Sequence, residues 1–383
     1  MIKINKRKSL RLLVFIIILV LSSVFSSQFV GKKQGNSLSG VTTPGHTYQG
    51  YVFEKGDKIV GLGTQPLYLP AVLITECMKR DGLLRKSLES IGLQIRFYPF
   101  LKGDDVNYAL KNGDISAGIA GDMPAINAAA NIGVVIGALT QLGFTSIISR
   151  NYITLSDMKG KRIGYVHGSN AHYTLLKVLR EAQLSEHDVN LIPMDITEMP
   201  ASLEKGEIDA FSAWEPTTTL ALKRHPEDVI IYQQISYGYI YFSKEFYEKH
   251  PDAVSFILAS EIRSLRWMNK SKQNLLYASK WAVNEIGKFV KRDMDITVGE
   301  IARVSMNDII GMTTLPYIPV NELKDNAMIY EEFHYLKKIN EIPSFVQWDK
   351  VRNSFDSSAL DRVIENPDAY KYNVYAYDPA DTK

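Results

Sequence analysis

Two carboxylates, Asp122 and Glu215, close two copies of one phrase in this chain. The first copy runs from Leu110 through Gly113, Asp114 and Ile115 to Asp122 and Pro124; the second runs from Leu203 through Gly206, Glu207 and Ile208 to Trp214, Glu215 and Pro216. A carboxylate can accept a hydrogen bond from a ligand amine, orient a donor side chain, or move a proton. It can equally cap the helix that follows. Between the copies lies Gly168-Ser169-Asn170, a turn ahead of a helical pattern. Free N–H groups at a helix start hold anions, and Ser169 adds a hydroxyl donor; Ser and Asn are also ordinary caps. Thr64 and Gln65 follow a first strand and can donate to an oxyanion, or form a solvated turn before Pro66. Trp214 can wall an alkyl chain or pack at an edge. His172, in the first turn after Gly168, reads as a plain helix histidine.

Positioning these groups takes an α/β frame. In each copy Gly113 or Gly206 ends a helix, because glycine accepts the left-handed cap. The short apolar run behind it is a strand, and the acid stands where the strand stops. Ligands of open α/β sheets bind outside the carboxyl ends of strands, so two such units imply two similar lobes facing a shared cleft. Strands are expected at 58–63, 93–98, 115–120, 134–139, 146–149, 189–194, 229–232 and 238–242. Helical patterns cover 69–80, the stretch from Asp104 or Asp105 to Gly113, 125–131, the run with Leu175, Leu176, Leu179 and Ala182 on one face, most of 251–310, and 319–340. Trp267 and Trp281 read as packing residues, and residues 81–92 as an enlarged loop. The crossings between lobes are expected near 146–152 and 236–241.

At 383 residues, two domains are the natural expectation. The net charge of +2 is front-loaded in Lys3, Lys6, Arg7, Lys8 and Arg11; without residues 1–26 those five positives go and −3 remains. A mildly acidic body argues against nucleic acid as a partner. The basic start, the apolar run Leu12–Leu21 and the serines of 22–27 have the build of an export signal. Counted from Leu12 to Val30, the same stretch is just long enough for an uncleaved anchor. Segment 31–55 reads as a flexible tether. Cys77 is the only cysteine, which excludes an intrachain disulfide, and its apolar surroundings make it a core residue. HExxH, GxSxG, CxxC and P-loop patterns are missing, and His167 and His172 lack nearby partners for a metal site.

An ordered set of stretches resembles the substrate-binding proteins of bacterial ABC importers for aliphatic sulfonates, taurine and nitrate. The set comprises Gly61 to Gln65, Gly121-Asp122-Met123-Pro124, Leu155 to Tyr165, Gly168 to His172, Ala213 to Pro216, and Phe242 to Pro251. The resemblance runs from about Lys58 to Trp348. It implies a type II periplasmic binding protein fold, two α/β lobes with a ligand cleft at the hinge. Lobe 1 would comprise 56–146 and 240–353, lobe 2 147–239, with a tail at 354–383. It implies Thr64, Gln65, Gly121, Asp122, Gly168, Ser169, Asn170, His172, Trp214 and Glu215 as ligand-binding residues, with Gly168 to Asn170 as the sulfonate-contacting turn. The expected protein is an exported monomer, periplasmic or tethered to the outer face of the cytoplasmic membrane. It passes a small organic anion to a membrane permease, without a cofactor and without covalent chemistry. Asn170, where Ser or Thr is commoner, and the 81–92 region depart from the pattern. Two rivals remain: a relative of the thiamine pyrimidine synthesis proteins, which share the fold, and a membrane-anchored ligand sensor.

Overall fold

Eight strands form one sheet in the order β2-β1-β3-β8-β4-β7-β5-β6. The computed structural model describes residues 51–151, 154–311 and 315–377, all within one compact unit, Gly45–Lys383. The expected leader and the first part of the tether lie outside the described residues. Among those described, no helix is long and apolar enough to cross a membrane. Strands β1 (Ile59–Thr64), β2 (Gln94–Pro99) and β3 (Ala117–Gly121) are parallel, as are β5 (Arg162–Tyr165), β6 (Asn190–Pro193) and β7 (Ala210–Trp214). Two long antiparallel strands, β4 (Val134–Ser149) and β8 (Val229–Ser243), join the triplets: β3 pairs with β8 and β7 with β4. The sheet therefore reads the same from either end, β2-β1-β3-β8 mirrored by β6-β5-β7-β4. The repeated phrase occupies matching places in the two halves, with both cap glycines, Gly113 and Gly206, at φ +70°.

The parallel strands need crossover helices. These are α1 (Ala71–Arg80), α2 (Gly82–Ser90), α3 (Gly103–Lys111) and α4 (Asp122–Asn131) in the first half, and α5 (Asn170–Glu181), α6 (Met199–Glu204) and α7 (Thr217–Arg224) in the second. Three expectations are corrected. The 134–139 and 146–149 segments are one strand, as are 229–232 and 238–242. Their polar middles stay in the sheet because β4 and β8 satisfy each other's backbone groups through three irregularities of register. Residues 81–92 are helix α2 rather than a loop. Asp81 caps it, accepting from Leu83 N at 2.9 Å and Leu84 N at 3.2 Å. The same carboxylate takes the Arg263 guanidinium at 2.6 Å, with side chains 0% and 2% exposed. The expected 319–340 helix is α12 (Met328–Lys338) behind a short turn at Val320–Leu323.

Helices α8 (Lys244–Lys249), α9 (Pro251–Lys270), α10 (Lys272–Val290) and α11 (Val298–Gly311) follow β8, and α13 (Trp348–Arg352), α14 (Ser358–Glu365) and α15 (Pro367–Tyr370) end the described chain. Trp267 and Trp281 stack at 5.5 Å with Arg80 over the Trp281 ring, and Cys77 is fully buried in the core. Tail residues Leu360 and Val363 are likewise buried.

Candidate functional site

The carboxyl ends of the parallel strands from both halves converge on one cleft. Its floor is the carboxyl end of β3 with the middle of β8 and β4. Directly opposed residues in an antiparallel pair share a face, and Gly121 opposes Gly238, Gly238 opposes Gln141, and Gly143 opposes Ser236. Glycine is required here for room. A Cβ on Gly238 would stand 2.8 Å from the Tyr68 hydroxyl and 2.9 Å from Gln141 Cβ, and one on Gly121 would collide with the Asn170 amide.

The Gly168-Ser169-Asn170 turn forms one wall. Gly168 has φ +71°, and Ser169 caps α5 by accepting from His172 N at 3.3 Å while donating to Val166 O at 2.6 Å. The Gly168 N–H donates to His172 Nδ1 at 3.3 Å and the Ser169 N–H to Val166 O at 3.4 Å, so the donors that can serve a ligand here are those of the first turn of α5 itself. Trp214 stands as a second wall, its indole N–H held by Leu67 O at 2.8 Å and its ring edge-on to Tyr68. Gln65, Gly121, Gly168, Ser169, Asn170 and Trp214 all line the cleft.

Four expected residues do not. Thr64 is 1% exposed and gives its hydroxyl to Tyr98 O, so it closes the strand end. His172 is buried against Tyr165 and the Tyr335 hydroxyl, and burial, then His167, pulls its pKa down to about 3; it is a neutral packing group. Glu215 accepts from Thr219 N at 3.1 Å, capping α7, and faces Asp308 in a neighbouring cavity. Asp122 lies just beneath the floor, fully buried. Its two oxygens accept from Met123 N at 2.8 Å and Tyr237 N at 3.0 Å, and the Asn170 side chain also bonds to it. Asn170 Nδ2 reaches Tyr237 O at 3.4 Å as well. Asp122 therefore ties α4, the crossover strand β8 and the start of α5 together instead of meeting a ligand. Burial raises its pKa to about 7, and the buried Glu332 on α12 is raised by burial and by Asp122.

The cleft contains polar groups that sequence reasoning did not place there: Lys102 and Asp104, at the loop after β2 and the start of α3, and His167 after β5. The strand-end rule applies to the loop after β2 as it does to Thr64, whereas helical periodicity alone marks Asp104 only as the start of the stretch to Gly113. Thr145 and Ser236, mid-strand on the floor, left no local signal. A cation, a carboxylate, an open helix N-terminus and an aromatic wall can hold a small ion with an apolar spacer. Among the described residues, no group of three or more His, Cys, Asp or Glu is placed to hold a metal.

Residues 89–274 match the NMT1/THI5-like family model. A Bacillus subtilis (strain 168) protein carrying the name aliphatic sulfonates-binding protein is 26% identical over 56% of this chain and 64% of its own length. The taurine-binding periplasmic protein of Escherichia coli (strain K12) is 25% identical over 45% of this chain and 56% of its own. The chain thus spans less than two thirds of these curated relatives. Among solved structures, the alkanesulfonate-binding protein SsuA from Xanthomonas axonopodis pv. citri, bound to MOPS, superposes with a TM-score of 0.58 at 16% identity, over 78% of this chain and 99% of that one. The desulfurization enzyme DSZB has the same fold, with a TM-score of 0.52 at 13% identity over 81% and 99%.

Proposed function

We propose that this chain, with an NMT1/THI5-like domain over residues 89–274, is the extracytoplasmic solute-binding component of an ABC importer. Its ligand is a small organic anion of alkanesulfonate or taurine type, delivered to a membrane permease. Helix α5 and Lys102 face the anionic end, Trp214 the alkyl spacer, and Asp104 a cationic end. The observation that carries this reading is that Lys102 and Asp104 both line one cleft at the strand ends of both halves. Opposite charges at one site favour a zwitterion over a bare anion. The buried Asp122 adds little repulsion, because burial favours its neutral form.

Calorimetric titration of the exported protein with taurine, ethanesulfonate, sulfate and nitrate tests the proposal. Taurine is expected to bind best. In Asp104→Asn, taurine should lose about tenfold relative to ethanesulfonate, the worth of one charge-assisted hydrogen bond. An unchanged ratio removes Asp104 from recognition, and binding of none of the four removes the anion reading. Mass spectrometry of the released ligand separates capture from catalysis: a binder returns it unaltered.

A further inference from the structure

Two side chains on the cleft floor are buried hydroxyls without a hydrogen-bond partner. Thr145 Oγ1 and Ser236 Oγ belong to residues 0% and 3% exposed, and neither has a partner. Both line the cleft. A buried hydroxyl left unpaired costs about 1–3 kcal/mol, so folded chains seldom keep one that nothing uses. Here two occur together. Thr145 opposes Gln234 and Gly143 opposes Ser236, so Thr145 and Ser236 are diagonal neighbours on one face of the β4–β8 pair. Gly143 leaves room there for the Gln141 amide and the Asp308 carboxylate, which would stand 3.2 Å and 3.4 Å from a Cβ at that position. Thr145 also opposes Trp214, which places the aromatic wall beside its hydroxyl. The Oε1 atom of Gln141, 1% exposed on the same strand, is a third unpaired group there.

We infer that Thr145 and Ser236 are specificity-determining residues that donate their hydroxyls to the oxyanion head of the bound solute, on the opposite side of that head from the N-terminus of α5. This rests on the solute-binding reading and adds a head-group rule to it. A sulfonate has three acceptor oxygens and can meet the floor and the helix start together. A carboxylate has two, and leaves part of one set unfilled. The floor lies on the strands shared by both halves, so these contacts do not depend on which half the ligand meets first.

The test uses Thr145→Val and Ser236→Ala, which remove the hydroxyl and nearly keep the shape. The probes are taurine and its carboxylate analogue β-alanine. Each single variant should lose about tenfold in taurine affinity, since a hydrogen bond to a charged group is worth that much or more. The double variant should narrow the gap between taurine and β-alanine. Without any ligand, each variant should melt about 2 °C higher, because an unpaired buried polar group is gone. Wild-type binding of taurine with unchanged affinity in both variants overturns the inference and leaves the solute-binding reading standing. Wild type that binds neither probe overturns that reading instead, and the melting arm still judges the floor. A lower melting temperature in ligand-free Thr145→Val or Ser236→Ala shows the hydroxyls serving the fold, and overturns the inference on its own.

Discussion

Replacing Asp122 by asparagine should flatten the pH dependence of stability. The carboxyl group is completely buried, and burial raises its pKa from 3.8 to about 7 against the opposing pull of its hydrogen bonds from Tyr237 N, Met123 N and Asn170. Between about pH 4 and pH 7 the folded protein therefore holds a proton that the unfolded chain has released. The folded state binds more protons in that window, so stability falls as pH rises and levels off above it. At 1.36 kcal/mol per pH unit, the loss reaches at most about 4 kcal/mol. Asparagine carries no such charge. It does surrender one acceptor, because Tyr237 N and Met123 N use different carboxylate oxygens. The variant should thus be about 1 kcal/mol less stable than wild type at pH 5 and gain on it by about 3 kcal/mol, the part of the linkage term that lies above pH 5, by pH 8.5. Glu332 should also ionise more readily in the variant, since Asp122 is one of the groups raising it. Urea unfolding midpoints and slopes at pH 5, 6.5 and 8.5 measure the difference directly. Wild-type and variant curves that stay parallel across this range would refute the reasoning.

Two further outcomes follow from the geometry. In Gly121→Ala the new methyl group would stand 2.9 Å from Asn170 Nδ2 and closer still to its oxygen, so the amide must swing away. Taurine affinity should fall at least about tenfold, with a lower circular-dichroism melt from the lost Asn170 bonds to Asp122 and Tyr237, and retained affinity would take Asn170 out of the site. Asp81→Ala should cost about 3–5 kcal/mol in chemical denaturation because it strands the buried Arg263 charge, whereas Asp81→Leu with Arg263→Met should recover most of that loss. Equal losses in the single and double variants would contradict the buried-pair account.

Much of the frame was legible from local pattern. The glycine caps, the short apolar runs and the amphipathic face of α5 each follow from rules that act within a dozen residues. The repeated phrase revealed the symmetry of the sheet because each copy contains a whole helix–cap–strand unit. The Gly168-Ser169-Asn170 turn was visible for the same reason: a cap and a helix start are local objects. The relation of the two acids was not. Asp122 and Glu215 hold equivalent places in sequence, but Asp122 is drawn under the floor by the backbone N–H of Tyr237 on β8, while Glu215 turns onto its own helix. Only long-range partners separate those fates. Thr145 and Ser236 acquire their meaning solely from strand pairing: they lie ninety-one positions apart, and the antiparallel register of β4 and β8 makes them neighbours. Sequence by itself determined the elements, their order and the doubled architecture, since those depend on periodicity and capping. The choice of which polar groups face the cleft was made by tertiary structure, because burial and register are properties of pairs of segments and of no segment alone.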